Sequence, residues 1–322
     1  MAQRPPTSTE ALPPSIPPHS RPPRGRARAG ALLGALGLAL AASGALAPGA
    51  FASLIAPESG GSPNANSIHS LYMITLVIAL VIFVVVEGAL AYALLRFRAR
   101  RGAVAAQIRG NTRLELGWTV GASVILVVLA VLTFVKLSSI QNPPNSSAGG
   151  EHLVGQSGVL YASADKRLPP NKKALEIDVL ARQYIWQYVY PGAGNPDGLG
   201  APYSYEEMVV PTETTVVLDV VSEDVVHSWW IPKLGGKLQA VPGYHNYTWF
   251  KISKPGVYPG QCANLCGRGH ARMIAKVRAI PPAQFEKWLA ERKRLLAEAK
   301  ALAAEERQKL NTQTGPGQVE NP

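Results

Sequence analysis

A two-helix membrane hairpin, an all-β outer domain and a C-terminal amphipathic helix form the architecture this sequence predicts. Three observations carry it: two long apolar runs flanking an arginine-rich segment, a central region of short strands broken by Gly and Pro, and a closing stretch of helical periodicity. With 322 residues, 47% of them hydrophobic, the chain has room for one sizeable globular domain beside its membrane segments.

The chain opens on a Pro-, Arg- and Ser-rich segment, residues 1–30, with five Arg against one Glu. The apolar, small-residue run 31–52 closes on Ala50-Phe51-Ala52, the pattern of a secretory signal before its cut. Residues 1–52 are therefore read as a disordered basic tail and signal peptide, an uncut membrane helix being the alternative. The anchor follows in 53–140. Its first apolar run, 71–95, carries Glu87 as its one charge, and its second, 117–135, opens on Trp118 at a membrane interface. The segment 96–113 between them holds six Arg and no acid, so the positive-inside rule turns it to the cytoplasm. Everything after Lys136 is thereby sent to the outer side.

After Gln141 the composition changes to Asn, Pro, Ser and Gly, a linker, and then to strands that fill 141–281. Residues 175–181 alternate apolar and polar, 214–221 are β-branched, and 247–252 follow the turn at Pro242-Gly243. Short strands with such turns argue for a sandwich or barrel of antiparallel strands. Residues 150–281 carry thirteen Lys and Arg against eleven Asp and Glu, so the net charge of +11 lies elsewhere and leaves no nucleic-acid footprint on the folded domain. In the tail 282–322, Phe285, Trp288, Leu289, Leu295 and Leu296 recur at helical spacing up to about Leu310. His152 and His245 stand in no motif and are read as surface residues.

The chemistry concentrates in one stretch. Both cysteines of the chain, Cys262 and Cys266, lie within a few residues of His270 and Met273, among Gly260, Gly267 and Gly269. Thiolates and a thioether suit copper, imidazole suits copper or zinc, and hard cations would want oxygens. A blue-copper site would leave the second Cys surplus, and zinc would leave Met273 without a role. Two coppers bridged by two thiolates use every ligand if a second imidazole arrives, and His227, in Asp224-Val-Val-His-Ser-Trp-Trp, is the candidate. A disulfide between Cys262 and Cys266 is the bland alternative in an oxidising compartment.

From about Ser67 to Leu289 the sequence resembles subunit II of the haem-copper oxygen reductases, the cytochrome c oxidases. The motifs are His227-Ser-Trp with Pro242-Gly243 downstream, Cys262-x-x-x-Cys266-Gly267-x-x-His270-x-x-Met273, the aromatic run from Tyr184 to Tyr190, and the stretch from Asn111 to Thr119. The resemblance implies a cupredoxin-like Greek-key barrel carrying the binuclear copper centre CuA on the outer face of a bacterial plasma membrane. It further implies that Cys262 and Cys266 bridge the coppers, that His227 and His270 each cap one, and that Met273 and the carbonyl of Asn264 are weaker ligands. Electrons would come from cytochrome c near Trp186 and Tyr184 and pass to haem in subunit I, where oxygen is reduced and protons are pumped. Subunit III is an expected further partner, and the chain alone would be an electron relay. Glu115 aligns with an acid at the mouth of a proton pathway, although a carboxylate there is also an ordinary helix cap. Asn264 stands where the resemblance expects a magnesium-binding Glu, and a neutral amide is a poorer ligand for a hard cation. The competing readings are a membrane-anchored copper-binding protein and a quinol-oxidase-type subunit II, which shares the fold but not the copper ligands.

Overall fold

A computed structural model of the chain describes residues 56–98, 104, 107–147, 167–191 and 200–313. The signal peptide expected in 1–52 and His152 lie outside the described residues. Two long helices come first, α1 (Pro63–Arg96) and α2 (Thr112–Gln141). Both are long and apolar enough to cross a membrane. Each extends beyond its apolar run. Pro63 supplies a preset φ at the first helical position of α1, and the Asn111 side chain accepts from Leu114 N at the start of α2. Near the outer end of the hairpin, Ser139 Oγ and Ser67 Oγ meet at 3.1 Å.

Among the described residues the outer domain holds ten strands: β1 (Leu175–Arg182), β2 (Ile185–Val189), β3 (Tyr203–Tyr205), β4 (Glu207–Pro211), β5 (Thr215–Ser222), β6 (His227–Trp230), β7 (Leu238–Ala240), β8 (Asn246–Lys251), β9 (Gly256–Cys262) and β10 (Ile274–Ile280). They form two five-stranded sheets, ordered β3-β2-β1-β5-β8 and β4-β10-β9-β6-β7. The expected barrel is present, with one correction: β1 pairs with β5 and β4 with β10 in parallel. Sequence neighbours such as β1 and β2 are antiparallel hairpins, but β5 joins β1 only after the chain has visited the other sheet, and local patterning carries no trace of that return.

Alternation explains the core. In β1, Leu175, Ile177, Val179 and Ala181 are buried while the residues between them face outward. They meet Trp186, Tyr188, Leu218, Val220, Phe250, Ala275 and Val277 in one cluster. Buried hydroxyls find partners: Val209 N donates to Tyr190 Oη at 2.7 Å and Trp229 Nε1 to Tyr188 Oη at 3.3 Å. His245 differs from expectation, since Asp219 draws it half into the barrel wall at 2.7 Å.

The C-terminal helix α3 (Pro282–Gln313) joins this core only through its start. Phe285 is buried, and the Trp288 ring packs 4.9 Å from that of Tyr190. Beyond Arg292 nearly all its residues are exposed, with ion pairs from Arg294 to Glu291 and Glu298 along one flank. The apolar packing of the helix is therefore confined to its start, and Lys300 Nζ donates to Gly200 O at 3.3 Å further along. Phe285→Ala is expected to destabilise the barrel by about 3–5 kcal/mol, read by chemical denaturation.

Candidate metal centre

Two strand ends and one loop build the site. His227 opens β6, and Cys262 closes the neighbouring β9 opposite Trp229. The chain then leaves the sheet as a loop that returns through a 3-10 turn at His270–Arg272. Cys262 N donates to Met273 O at 2.9 Å and closes the loop at its base, while Ala263 N donates to Ser228 O at 2.9 Å and holds it against β6. Gly269 is required by close approach, because a Cβ there would lie 2.3 Å from the Tyr184 ring. Gly267 sits at φ +130, a conformation that side-chain-bearing residues rarely adopt.

The fold brings together every metal ligand expected from the sequence. Cys262 Sγ lies 4.0 Å from Cys266 Sγ, 3.9 Å from His227 Nδ1 and 3.3 Å from the Asn264 carbonyl oxygen. Cys266 Sγ lies 3.6 Å from His270 Nδ1 and 4.0 Å from Met273 Sδ. Both cysteines are free thiols, and no disulfide joins them. An ion bonded to a thiolate at about 2.3 Å and an imidazole at about 2.0 Å, at a tetrahedral angle, holds these donors roughly 3.5 Å apart, and two thiolates roughly 3.8 Å apart. The observed separations match both spans. A soft or borderline metal therefore fits this donor set as it stands.

Electrostatics prepare the donors unequally. Burial pushes the Cys262 thiol up, but the His227 ring and the Ser228 and Asn264 backbone groups outweigh it and hold the thiol at about 6. Burial and the neighbouring Cys262 charge raise Cys266 to about 11. Thiolates are the ligand form, so metal uptake near neutral pH displaces the Cys266 proton, and below about pH 6 the Cys262 proton as well. Metal affinity is accordingly expected to fall with falling pH, more steeply below about pH 6, in a competition titration against a chelator.

Two residues outside the sequence-derived set support the site. Asp224 Oδ1 lies 2.9 Å from His227 Nε2, which directs Nδ1 toward Cys262. Burial disfavours the Asp224 charge, yet the His227 ring and the Gln183 and Val225 N–H groups outweigh it and keep the carboxyl below its ordinary value. Gln183 donates from its backbone N to Asp224 Oδ2 at 2.6 Å and from Nε2 to Cys266 O at 2.6 Å, bridging both halves of the site. An acid three residues before His227 was a readable signal for Asp224, whereas nothing marked Gln183.

The remaining candidates fall in different places. Tyr184 is half-buried and covers the loop at Gly267 and Gly269. Trp186 is fully buried, its ring 6.0 Å from that of His227 and its Nε1 without a hydrogen-bond partner among the described residues, so it offers no surface to a docked molecule. Asn264 Nδ2 donates to Val226 O at 3.3 Å and fastens the loop to the His227 segment. Glu115 stands at the far end of α2, where its carboxylate accepts from Asn111 N at 3.3 Å as part of the helix cap.

Comparison with known proteins matches this chain to one family. Profiles described as cytochrome c oxidase subunit II match the chain twice, the transmembrane domain over residues 53–135 and the periplasmic domain over residues 203–280. Cytochrome c oxidase subunit 2 of Cereibacter sphaeroides is 30% identical over 298 residues, covering 81% of this chain and 89% of that protein. Cytochrome c oxidase subunit 2 of Alkalihalophilus pseudofirmus is 29% identical over 229 residues, covering 70% of this chain but only 59% of the relative. The solved periplasmic domain of cytochrome oxidase subunit II from Bradyrhizobium japonicum is 31% identical, covers 38% of this chain and 95% of that one, and superposes with a TM-score of 0.35.

Proposed function

The chain belongs to the cytochrome c oxidase subunit II family, and from that premise we propose that it accepts electrons from a cytochrome c outside the membrane and relays them to haem in subunit I, where oxygen is reduced to water. The observation that carries this reading is the convergence of two thiols, two imidazoles, a thioether and a carbonyl from two separate segments. Cys262 and Cys266 would bridge two coppers, His227 and His270 would cap them, and Met273 and the Asn264 carbonyl would complete the set. Such a centre supplies one-electron storage shared over two ions, so that bond lengths change little on reduction.

The chain's own residues largely enclose the site. Cys262, Cys266, Met273 and His227 are all buried, which shields these four donors from water, while His270 and Asn264 are half-buried. Asp224 and Gln183 hold the His227 ring and the Cys266 backbone against the same strand end. Tyr184 is the aromatic residue that both touches the loop and reaches the surface, which favours it over Trp186 as the contact for a docked donor. Trp186 lies behind it as an inner wall of the His227 site. A neutral Asn264 amide oxygen is a poorer ligand for a hard cation than a carboxylate, which weighs against a magnesium ligand at this position.

Charge beside the site is largely consumed within the chain. Glu223 is paired with Arg182, Glu207 with Arg278, and Asp224 with His227. Arg268 and Arg272 are exposed on the metal loop. This surface has little to steer a basic partner. Added salt is therefore expected to change donor affinity by less than roughly threefold, measured from the KM for cytochrome c at low and physiological ionic strength.

The direct test is metal loading of the purified chain. Two coppers per chain with purple mixed-valence absorption are expected, and one zinc in a colourless protein overturns the reading. A quinol-oxidase-type subunit would lack these ligands, and every one of them is present.

A further inference from the structure

The barrel does not hang from its membrane anchor on a loose tether. Trp249 and Phe250 are neighbours on β8 and point to opposite faces, Phe250 into the main core and Trp249 outward into a separate small cluster with Ala174 and Val217. An outward tryptophan on a barrel wall would ordinarily be wet, but Trp249 is only 5% exposed. The ends of both membrane helices help to cover it. Its Nε1 donates to Ile140 O at 3.0 Å and Gln141 O at 3.1 Å, satisfying carbonyls that the C-terminus of α2 leaves open. Its own carbonyl accepts from Asn64 Nδ2 at 2.9 Å, in the first turn of α1.

The surrounding contacts continue the same junction. Ser62, the residue preceding α1, makes no side-chain cap to its own helix, and its Oγ instead accepts from Lys251 N at 3.1 Å. Thr215 N donates to Ser146 Oγ at 3.0 Å, and Lys251 Nζ reaches Asn145 O at 3.0 Å. Two glycines allow the close approach, since a Cβ on Gly61 would lie 2.3 Å from Lys233 O and one on Gly235 would lie 2.8 Å from Asn64 Nδ2. The apolar run begins at residue 71, so the first turns of α1 reach the barrel as roughly 12 Å of rigid helix rather than coil.

We propose that Trp249 is a positioning residue: it locks the barrel to both membrane helices as one body, fixing the height and tilt of the metal centre above its electron acceptor in the membrane. The electron-transfer half of this proposal rests on the functional reading above, and the mechanical half does not. On that reading His227, Cys262, Cys266, His270 and Met273 would hold the centre that gives one electron to the haem of the partner subunit, and the rate would fall steeply as the gap between them widens. Each lost junction hydrogen bond raises the detached population by about fivefold.

The test uses the full chain assembled with its haem-bearing partner in lipid nanodiscs, with spin labels on non-natural side chains at positions 138 and 276. Both positions are exposed, one on α2 and one on β10. The unaltered chain is expected to give one narrow label-to-label distance. Trp249→Phe combined with Asn64→Ala is expected to broaden it and to slow transfer to the haem, with copper content and absorption unchanged. Should Trp249→Phe fail to assemble, Asn64→Ala alone carries the comparison. A double variant as narrow as the unaltered chain overturns the clamp, and a broadened one with undiminished transfer overturns its role in positioning. Absence of the copper spectrum from the unaltered chain would overturn the functional reading instead, because the label distances are read without the metal.

Discussion

Cys262→Ser is expected to reduce copper from two ions per chain to one or none and to abolish the mixed-valence absorption, with affinity lost by more than about 100-fold. The Cys262 sulfur stands among three other donors of the site, 3.9 Å from His227 Nδ1, 3.3 Å from the Asn264 carbonyl and 4.0 Å from Cys266 Sγ. A serine hydroxyl is a hard donor that stays protonated where the thiol is held at about 6, so it replaces neither the charge nor the softness. Cys266→Ser should act in the same direction through His270 and Met273, which lie 3.6 Å and 4.0 Å from that sulfur. Metal analysis and absorption of the purified full chain check both variants. Retention of two coppers by Cys262→Ser would rule out a bridging role for this thiol.

The parts of this molecule that were legible in its sequence are those whose signal is local. The Cys262 to Met273 loop showed its donors because they are chain neighbours, and the two spans showed themselves because lipid leaves helix as the only open solution for an apolar run. The pairing of β1 with β5 was not legible, because the hydrophobic alternation of each strand is the same whichever way its partner runs. His245 was misplaced for a related reason: Asp219, which draws it in, is 26 residues away. The supporting residues divide on the same line. Asp224 could be read from its spacing to His227, but Gln183 reaches Cys266 across 83 residues and Trp249 reaches Ile140 across 109, and only the folded chain brings them into contact. Tyr184 and Trp186 stand two residues apart in one aromatic run, and the turn between β1 and β2 leaves Tyr184 against the loop surface while Trp186 is sealed beside His227.

Gly260→Ala is expected to cost about 3 kcal/mol of barrel stability, near the upper end for overpacking a well-filled interior, and to weaken copper binding with it. The added methyl would lie 2.1 Å from Trp230 O and 2.4 Å from Ile231 Cδ1, and the first of these is backbone that no rotamer change can move aside. Relief requires β9 to move away from β6, and that pair carries the site. Trp229 stands opposite Cys262 and Trp230 opposite Gln261, so a shift at Gly260 separates the Cys262 strand end from the His227 strand end. The hydrogen bond from Ala263 N to Ser228 O, which holds the loop base to β6, lies on the same seam. Denaturation of the copper-free chain reads the first effect and a chelator competition reads the second. Lowered stability with unchanged copper affinity would mean that the loop keeps its donors together without the β6–β9 register, and the strand ends would then be dispensable to the metal centre.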